Sequence, residues 1–133
     1  MRSHFLRDLS IQGAHLVARE IPDFDFYNLR EVVSIEWRLD SAPDTGRTRA
    51  QLVMVCVYEN GGISLRLALK FSGVRRLKLP EMNPSLPLAE VEIEDITSHQ
   101  LEDVAYRFRD YGQRELEVLC RSVEILECER LER

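Results

Sequence analysis

The sequence predicts a mainly β protein, in which a curled antiparallel sheet of about seven to eight strands forms an open barrel or a sandwich. Three observations lead to this fold class: apolar and polar residues alternate with a period of two from residue 31 onward, glycines separate two such runs, and the last run changes phase. The chain has 133 residues, 44% hydrophobic and 31% charged, which fits one globular domain spanning residues 1–133.

The first 29 residues give a mixed pattern that predicts at most one short N-terminal helix, in "SHFLRDLS". The aromatic and acidic stretch "DFDFYNLREV" has two interpretations. In the first, it is a lid over the core with Tyr27 hydrogen-bonded at the rim. In the second, Phe26 and Tyr27 belong to a partner-binding surface, since such surfaces are rich in aromatic groups.

The next three runs predict strands. "EVVSIEWRLD" has the pattern of a strand with one buried face. The predicted inward residues are Val33, Ile35, Trp37 and Leu39. "AQLVMVCVYE" and "ISLRLALKF" flank Asn60-Gly61-Gly62, and Asn-Gly between alternating runs predicts a tight hairpin. Residues 52–57 are apolar on both faces, so this strand is either central and covered on each side or faces a partner.

After the hairpin, the sequence predicts a surface connection and then a three-stranded meander. Three prolines in "PEMNPSLP" exclude regular strand pairing there. In "LAEVEIEDI", "VAYRFRD" and "ELEVLC", the arginines of the middle strand lie opposite the glutamates of its neighbours, which stabilises by roughly 0.2–1 kcal/mol per pair. The outward residues are Glu90, Glu92, Glu94, Arg107, Arg109, Glu115 and Glu117. Five glutamates against two arginines predict an acidic face.

Two local features adjoin the meander. Asp95 is expected to cap the turn that contains His99, Glu102 and Asp103. Inward positions have even numbers up to Cys120 and odd numbers from Val123. This change of phase predicts a β-bulge near residues 121–122, which would bend the sheet.

The sequence contains no strong catalytic or cofactor motif. Three cysteines without a CxxC pair argue against a disulfide framework and a zinc knuckle. His99 has no second histidine at ligand spacing, so no metal site is predicted. Because nucleophile motifs and a phosphate-binding glycine loop are absent as well, the sequence predicts a protein that is not an enzyme and needs no cofactor.

Charge is distributed unevenly along the chain. Residues 1–79 contain twelve basic against nine acidic residues, whereas residues 80–133 contain six against fourteen, a net charge of −8. An acidic half speaks against nucleic acid as a ligand and for a basic protein partner. The longest apolar run, "LVMVCV", is too short to span a bilayer, and "MRSHFLRDLS" lacks the apolar centre of a secretory signal. We therefore expect a cytoplasmic protein without membrane contact.

Three stretches carry a resemblance to a known group of proteins: "FYNLREVVSIEWRLD", "LRLALKFSGVRRLKL" and "YRFRDYGQRELEVLCRSVEI". Their order resembles that in short bacterial proteins, some of which are regarded as immunity proteins of polymorphic toxin systems. The resemblance implies a compact β-rich protein that neutralises a toxin by binding it, without catalysis. Together with the acidic face, it leads to the hypothesis that a basic toxin binds at a defined set of residues. The set is Glu90, Glu92, Glu94, Glu115, Glu117, Phe26 and Tyr27.

Two other functions stay open from the sequence. A small-ligand module would have an apolar pocket in the mouth of the curled sheet, near Trp37 and Tyr106. A structural or oligomerising domain would place residues 52–57 at a subunit contact, so a homodimer is also left open.

Overall fold

The computed structural model describes residues 2–41, 48–81, 86–97, 104–112 and 115–131. In these ranges the chain forms two antiparallel sheets of five strands each, which share one hydrophobic core. Sheet I has the strand order β1-β7-β8-β9-β5, and sheet II has the order β10-β4-β3-β2-β6. The strands are β1 (Arg2–Ser3), β2 (Leu29–Ser41), β3 (Thr48–Asn60), β4 (Ile63–Ser72), β5 (Arg76–Lys78), β6 (Leu86–Pro87), β7 (Val91–Asp95), β8 (Tyr106–Asp110), β9 (Glu117–Cys120) and β10 (Ser122–Leu131).

The helical part of the described chain is small. One α-helix, α1, spans Ala14–Ala18, and single 3₁₀ turns lie at Leu6–Asp8 and Phe26–Asn28. The prediction of at most one short N-terminal helix is thus confirmed, although "SHFLRDLS" contains only a 3₁₀ turn. None of the described helices is long enough to cross a membrane.

The predicted mainly β, antiparallel class is confirmed, but the predicted number of strands is wrong. The described residues contain ten strands, in two sheets that do not close into a barrel. The added strands β1, β5 and β6 have only two or three residues each, too few to show an alternating pattern. β6 also contradicts the exclusion of pairing in "PEMNPSLP", since Pro87 pairs with Glu31. An edge strand tolerates a proline because the missing N–H need not point toward a neighbour.

The predicted hairpin is confirmed. β3 and β4 pair antiparallel up to Asn60 and Ile63, and Gly61 and Gly62 form the turn between them. Both glycines have positive φ, 58° and 83°, as a two-residue hairpin turn with a primed geometry requires. β3 lies in the centre of sheet II, as one of the two alternatives for this strand predicts, but it is fully covered on one face only. Its even-numbered residues are buried, while Val53, Val55 and Val57 are half-buried on the outer face.

The predicted buried face of β2 is wrong for three of its four residues. The side chains of Val33, Trp37 and Leu39 are 43%, 46% and 63% exposed, and Ile35 is half-buried. A register shift between Val32 and Ser34 turns Val32 into the core in place of Val33. Beyond this shift β2 pairs only with β3 among the described strands, so its inward side chains border solvent.

The change of phase near residues 121–122 marks a corner between the sheets rather than a bulge within one strand. At Arg121 the chain bends from β9 in sheet I to β10 in sheet II. β4 passes into β5 beside it, and the backbone N–H of Arg121 donates to the carbonyl of Ser72 at 2.9 Å. A register shift does occur in β10, but farther on, between Ile125 and Glu127.

The N-terminal segment connects the two sheets. β1 pairs with β7 in sheet I, while the backbone N–H of Ile125 in β10 donates to the carbonyl of Gln12 at 2.9 Å. Between these points Phe24 and Phe26 are buried, and the Phe24 ring stacks on Tyr58 of β3 with the centroids 4.4 Å apart. The structure thus supports the interpretation of "DFDFYNLREV" as a lid over the core.

We expect Gly13→Ala to lower the free energy of unfolding by about 2–5 kcal/mol, from overpacking and a strained left-handed backbone. Gly13 has a φ of 79°, and a Cβ there would lie 2.0 Å from the carbonyl oxygen of Ile125. Gly62→Ala is the matched control, since its φ is 83° but a Cβ would meet nothing within 4 Å. Urea unfolding followed by far-UV circular dichroism measures both. Equal losses in the two variants would contradict close contact at Gly13.

Candidate protein-binding face

The outer face of sheet I carries charges whose sign alternates from strand to strand. We call this set the charge ladder. It consists of Arg2, Glu92, Glu94, Arg107, Arg109, Glu117, Arg76 and Lys78. The register places Glu92 opposite Arg109 on β7 and β8, and Arg109 opposite Glu117 on β8 and β9. This confirms the meander and the opposition of charges that the sequence predicts.

Glu117 lies close to three arginines of the charge ladder. One of its carboxylate oxygens lies 3.8 Å from Arg76 Nε, and the other lies 3.7 Å from Arg109 Nη1 and 3.9 Å from Arg107 Nε. Its side chain is only 12% exposed. Since these distances exceed those of a good hydrogen bond, the attraction is mainly Coulombic, and it joins three neighbouring strands.

Glu92 and Glu94 on β7 form ion pairs with the strands on either side of them. Glu92 Oε1 lies 3.4 Å from Arg2 Nε on β1, and Glu94 Oε2 lies 3.6 Å from Arg107 Nη1 on β8. The Arg2 guanidinium also lies over the Tyr111 ring, 4.5 Å from its centroid. The carboxylates of β7 are therefore held from both neighbouring strands.

The charge ladder does not carry the surplus of carboxylates that the sequence predicts. That prediction counted only the arginines of β8, whereas the short strands β1 and β5 add Arg2, Arg76 and Lys78. Within the ladder, five basic residues thus accompany three glutamates. Glu92 and Glu117, both predicted to contact a partner, are each 9% exposed and serve mainly to join strands.

Negative charge instead lies at the end of the ladder, on Glu90 and Glu115, whose side chains are both exposed. We call these two residues the acidic rim. The backbone N–H of Tyr111 donates to the carbonyl of Glu90 at 2.8 Å, and that of Asp110 donates to the carbonyl of Leu116 at 3.0 Å. These bonds place the acidic rim on either side of the point where β8 ends.

Phe26 and Tyr27 differ in their access to a partner. Phe26 is fully buried, so its side chain is not accessible to a partner in this structure. Tyr27 is half-buried, and its ring stacks on His4 with the centroids 3.9 Å apart. Burial, followed by the negative charge of Glu92, raises the pKa of Tyr27. Tyr27 therefore borders the charge ladder beside β7.

Sequence reasoning missed Asp110, the residue that holds the loops of the acidic rim. Its carboxylate is 2% exposed and accepts hydrogen bonds from three backbone N–H groups: those of Ala89 at 3.2 Å, Glu90 at 3.0 Å and Gly112 at 2.8 Å. The spacing Asp-Tyr-Gly is typical of a turn in which an aspartate bonds the backbone two residues on. That signal predicts the bond to Gly112, but not those to the distant residues 89 and 90.

A cavity opens at the same end of sheet I. Its lining is mostly charged and includes Lys78, Arg109, Asp110, Glu115 and Glu117. Neither Trp37 nor Tyr106 lines it, so it is not the apolar pocket that a small-ligand module would have near those residues.

Two cysteines and one aspartate of the described chain have structural roles. Burial raises the pKa of the Cys56 and Cys120 thiols to about 12. Asp95 caps its turn as predicted: it accepts hydrogen bonds from the Thr97 N–H at 3.0 Å and hydroxyl at 2.6 Å, which lower its pKa. Among the described residues, no group of three or more histidine, cysteine or acidic side chains could hold a metal ion. His99, Glu102 and Asp103 lie outside those residues.

Comparison of this chain with known proteins finds no similar protein. No protein-family model matches the chain, and no curated protein or solved structure matches it significantly. The resemblance to immunity proteins therefore stays a prediction that rests on the three quoted stretches of strand pattern.

We expect Glu117→Ala to lower the free energy of unfolding by about 1–3 kcal/mol, because three partly exposed arginines lose a shared carboxylate. Glu115→Ala, two residues away and exposed, is the control and should change stability by less than about 0.5 kcal/mol. Urea unfolding at low and high salt measures the stability of both variants. The difference in unfolding free energy between them should shrink at high salt, because salt screens the ion pairs of Glu117. A difference that does not depend on salt would mean that Glu117 stabilises the sheet by packing alone.

We expect Asp110→Ala to lower the free energy of unfolding by about 1–3 kcal/mol, since backbone donors lose a buried acceptor. Asp95→Ala removes an exposed carboxylate that caps a turn, so it should lower the free energy of unfolding by less, about 0.5–1 kcal/mol. Amide hydrogen exchange locates the effect: protection should fall at Ala89, Glu90 and Gly112 in the first variant only. Unchanged protection at these amides would contradict the role given to Asp110.

Proposed function

We propose that this chain is a non-enzymatic protein-binding domain that docks its partner on the outer face of sheet I, at the acidic rim. The observation that carries the proposal is the position of the rim. Glu90 and Glu115 are exposed on both sides of the end of β8, next to a ladder of charges that hold one another in place.

The arrangement suits binding because the charged groups beside the acidic rim already contact one another in the single chain. Arg107 and Arg109 are held by Glu94 and Glu117, and Asp110 fixes the backbone at Glu90. Side chains that are already ordered lose less conformational entropy on association, which favours affinity. The face is also rich in arginine and tyrosine, the residue types that most often dominate binding energy.

The chemistry of the rim favours a basic partner. Two exposed carboxylates outside the core of the ladder attract lysine and arginine side chains and raise the rate of encounter. The resemblance to immunity proteins supports a toxin as that partner, neutralised by occupation of its surface. No step of the proposal requires a cofactor, a metal or a chemical reaction.

The double variant Glu90→Lys/Glu115→Lys should slow association with a basic toxin domain encoded beside the gene for this chain by about tenfold at low salt, because attraction becomes repulsion. Stopped-flow or surface plasmon resonance measures the rate, and a pull-down identifies the complex.

The matched control is Glu127→Lys/Glu129→Lys, which makes the same change in net charge on exposed residues of β10, in sheet II. If both variants slow association equally, the overall charge of the protein is responsible and the rim is not the docking site. Unfolding midpoints of the two variants show whether each one is still folded.

A further inference from the structure

Among the described strands, β2 has one edge in sheet II that is unpaired along most of its length. β6 pairs with it only at Glu31 and Val32, so among the described strands no second neighbour adjoins β2 from Val33 to its end. The described residues have five exposed large hydrophobic side chains, and three of them belong to this stretch: Val33, Trp37 and Leu39. A long edge that exposes apolar groups is a site at which another strand can pair.

Two neighbouring charges on this edge, those of Glu36 and Arg38, have opposite signs. Glu36 and Arg38 lie on the face opposite to that of Trp37, and Arg38 Nε lies 2.7 Å from Glu36 Oε1. Edge strands that avoid pairing usually carry charges that repel an added strand. Here the alternating signs instead match the same sequence running in the opposite direction.

We propose that β2 pairs antiparallel with β2 of a second copy of this chain, about a two-fold axis at Trp37. In this register Glu36 faces Arg38 of the second copy, and Arg38 faces its Glu36. On the other face, Trp37 lies beside its counterpart, and Ile35 faces Leu39. Each of these contacts occurs twice or lies on the axis, as a two-fold interface requires.

The charges select this register over its neighbours. Moving the axis by one residue places Glu36 opposite Glu36, or Arg38 opposite Arg38. Like charges directly opposed on paired strands are destabilising, whereas opposite charges stabilise. Pairing centred on Trp37 spans residues 34–40 and ends before Val32, where β6 lies on the same edge.

The pairing removes the most exposed apolar groups of β2 from water. Trp37 and Leu39, 46% and 63% exposed in the single chain, would pack against apolar side chains of the second copy. One short strand pairing buries less surface than a standard stable interface, so the dimer should form and dissociate with concentration. Sheet I takes no part, which leaves the acidic rim of each copy accessible.

Sedimentation equilibrium of the full chain over a wide concentration range tests the association. Trp37 is the only tryptophan of the chain, so its fluorescence reports on the proposed interface directly. We expect the mass to approach that of a dimer as concentration rises, while the emission shifts to shorter wavelength and iodide quenching decreases. A chain that stays monomeric at every concentration overturns the proposal, as does protection of Trp37 only by an added different protein.

Charge exchange tests the register. Arg38→Glu and Glu36→Arg each place like charges opposite one another, so either variant alone should dimerise at least about tenfold more weakly than the unaltered chain. An equimolar mixture of the two should recover the dimer, because the first then faces the second with opposite charges. The double variant Glu36→Arg/Arg38→Glu should recover it in a single chain.

The recovery distinguishes a lost interface from a damaged fold, since a misfolded variant is not rescued by its counterpart. If the single variants dimerise as strongly as the unaltered chain, or if neither the mixture nor the double variant recovers the dimer, the interface centred on Trp37 is wrong. Association with a toxin does not enter either measurement, so the outcome is independent of the function proposed for the acidic rim.

Discussion

The two sheets of this protein depend on one corner, where β4 passes into β5 and β9 passes into β10. Backbone hydrogen bonds of 2.9 Å, from Arg121 N–H to Ser72 and from Arg75 N–H to Leu119, hold the crossing segments together. Gly73 allows the close approach, since its φ is 62° and a Cβ there would lie 2.9 Å from Arg121 Cβ. Each of the two crossing segments joins a strand of sheet I to a strand of sheet II. The hydrogen bonds between these segments hold the two sheets together on either side of the core.

The outer face of sheet I follows from this arrangement. Its strands have two to five residues in the described chain, so each forms few backbone hydrogen bonds with its neighbours. Opposite charges on adjacent strands add attraction between strands that few hydrogen bonds join. The charge ladder therefore serves the sheet first: its carboxylates Glu92 and Glu117 are buried between basic side chains, whereas Glu90 and Glu115 of the acidic rim are exposed.

The edge strands of the two sheets differ in length and in the side chains that they expose. β1 and β5 are short edge strands of sheet I, and each directs basic side chains along the ladder. Among the described strands, β2 forms a long edge of sheet II from Val33 onward, with apolar groups on one face and the oppositely charged Glu36 and Arg38 on the other. Short, charged edges discourage an added strand, whereas a long edge of alternating apolar and charged residues admits one. The acidic rim, where we propose that a basic partner docks, and the β2 edge, where we propose that a second copy pairs, therefore belong to different sheets.

The sequence by itself determined the features that depend on neighbouring residues: the strand alternation, the turn at Gly61 and Gly62, and the opposed charges of β7, β8 and β9. Only the tertiary structure decided which faces are covered. It buried Phe26, exposed Trp37, and brought Arg2 and Arg76 beside distant glutamates. The physical reason is that alternation specifies the face to which a side chain points, whereas burial and pairing depend on segments that meet only when the chain folds.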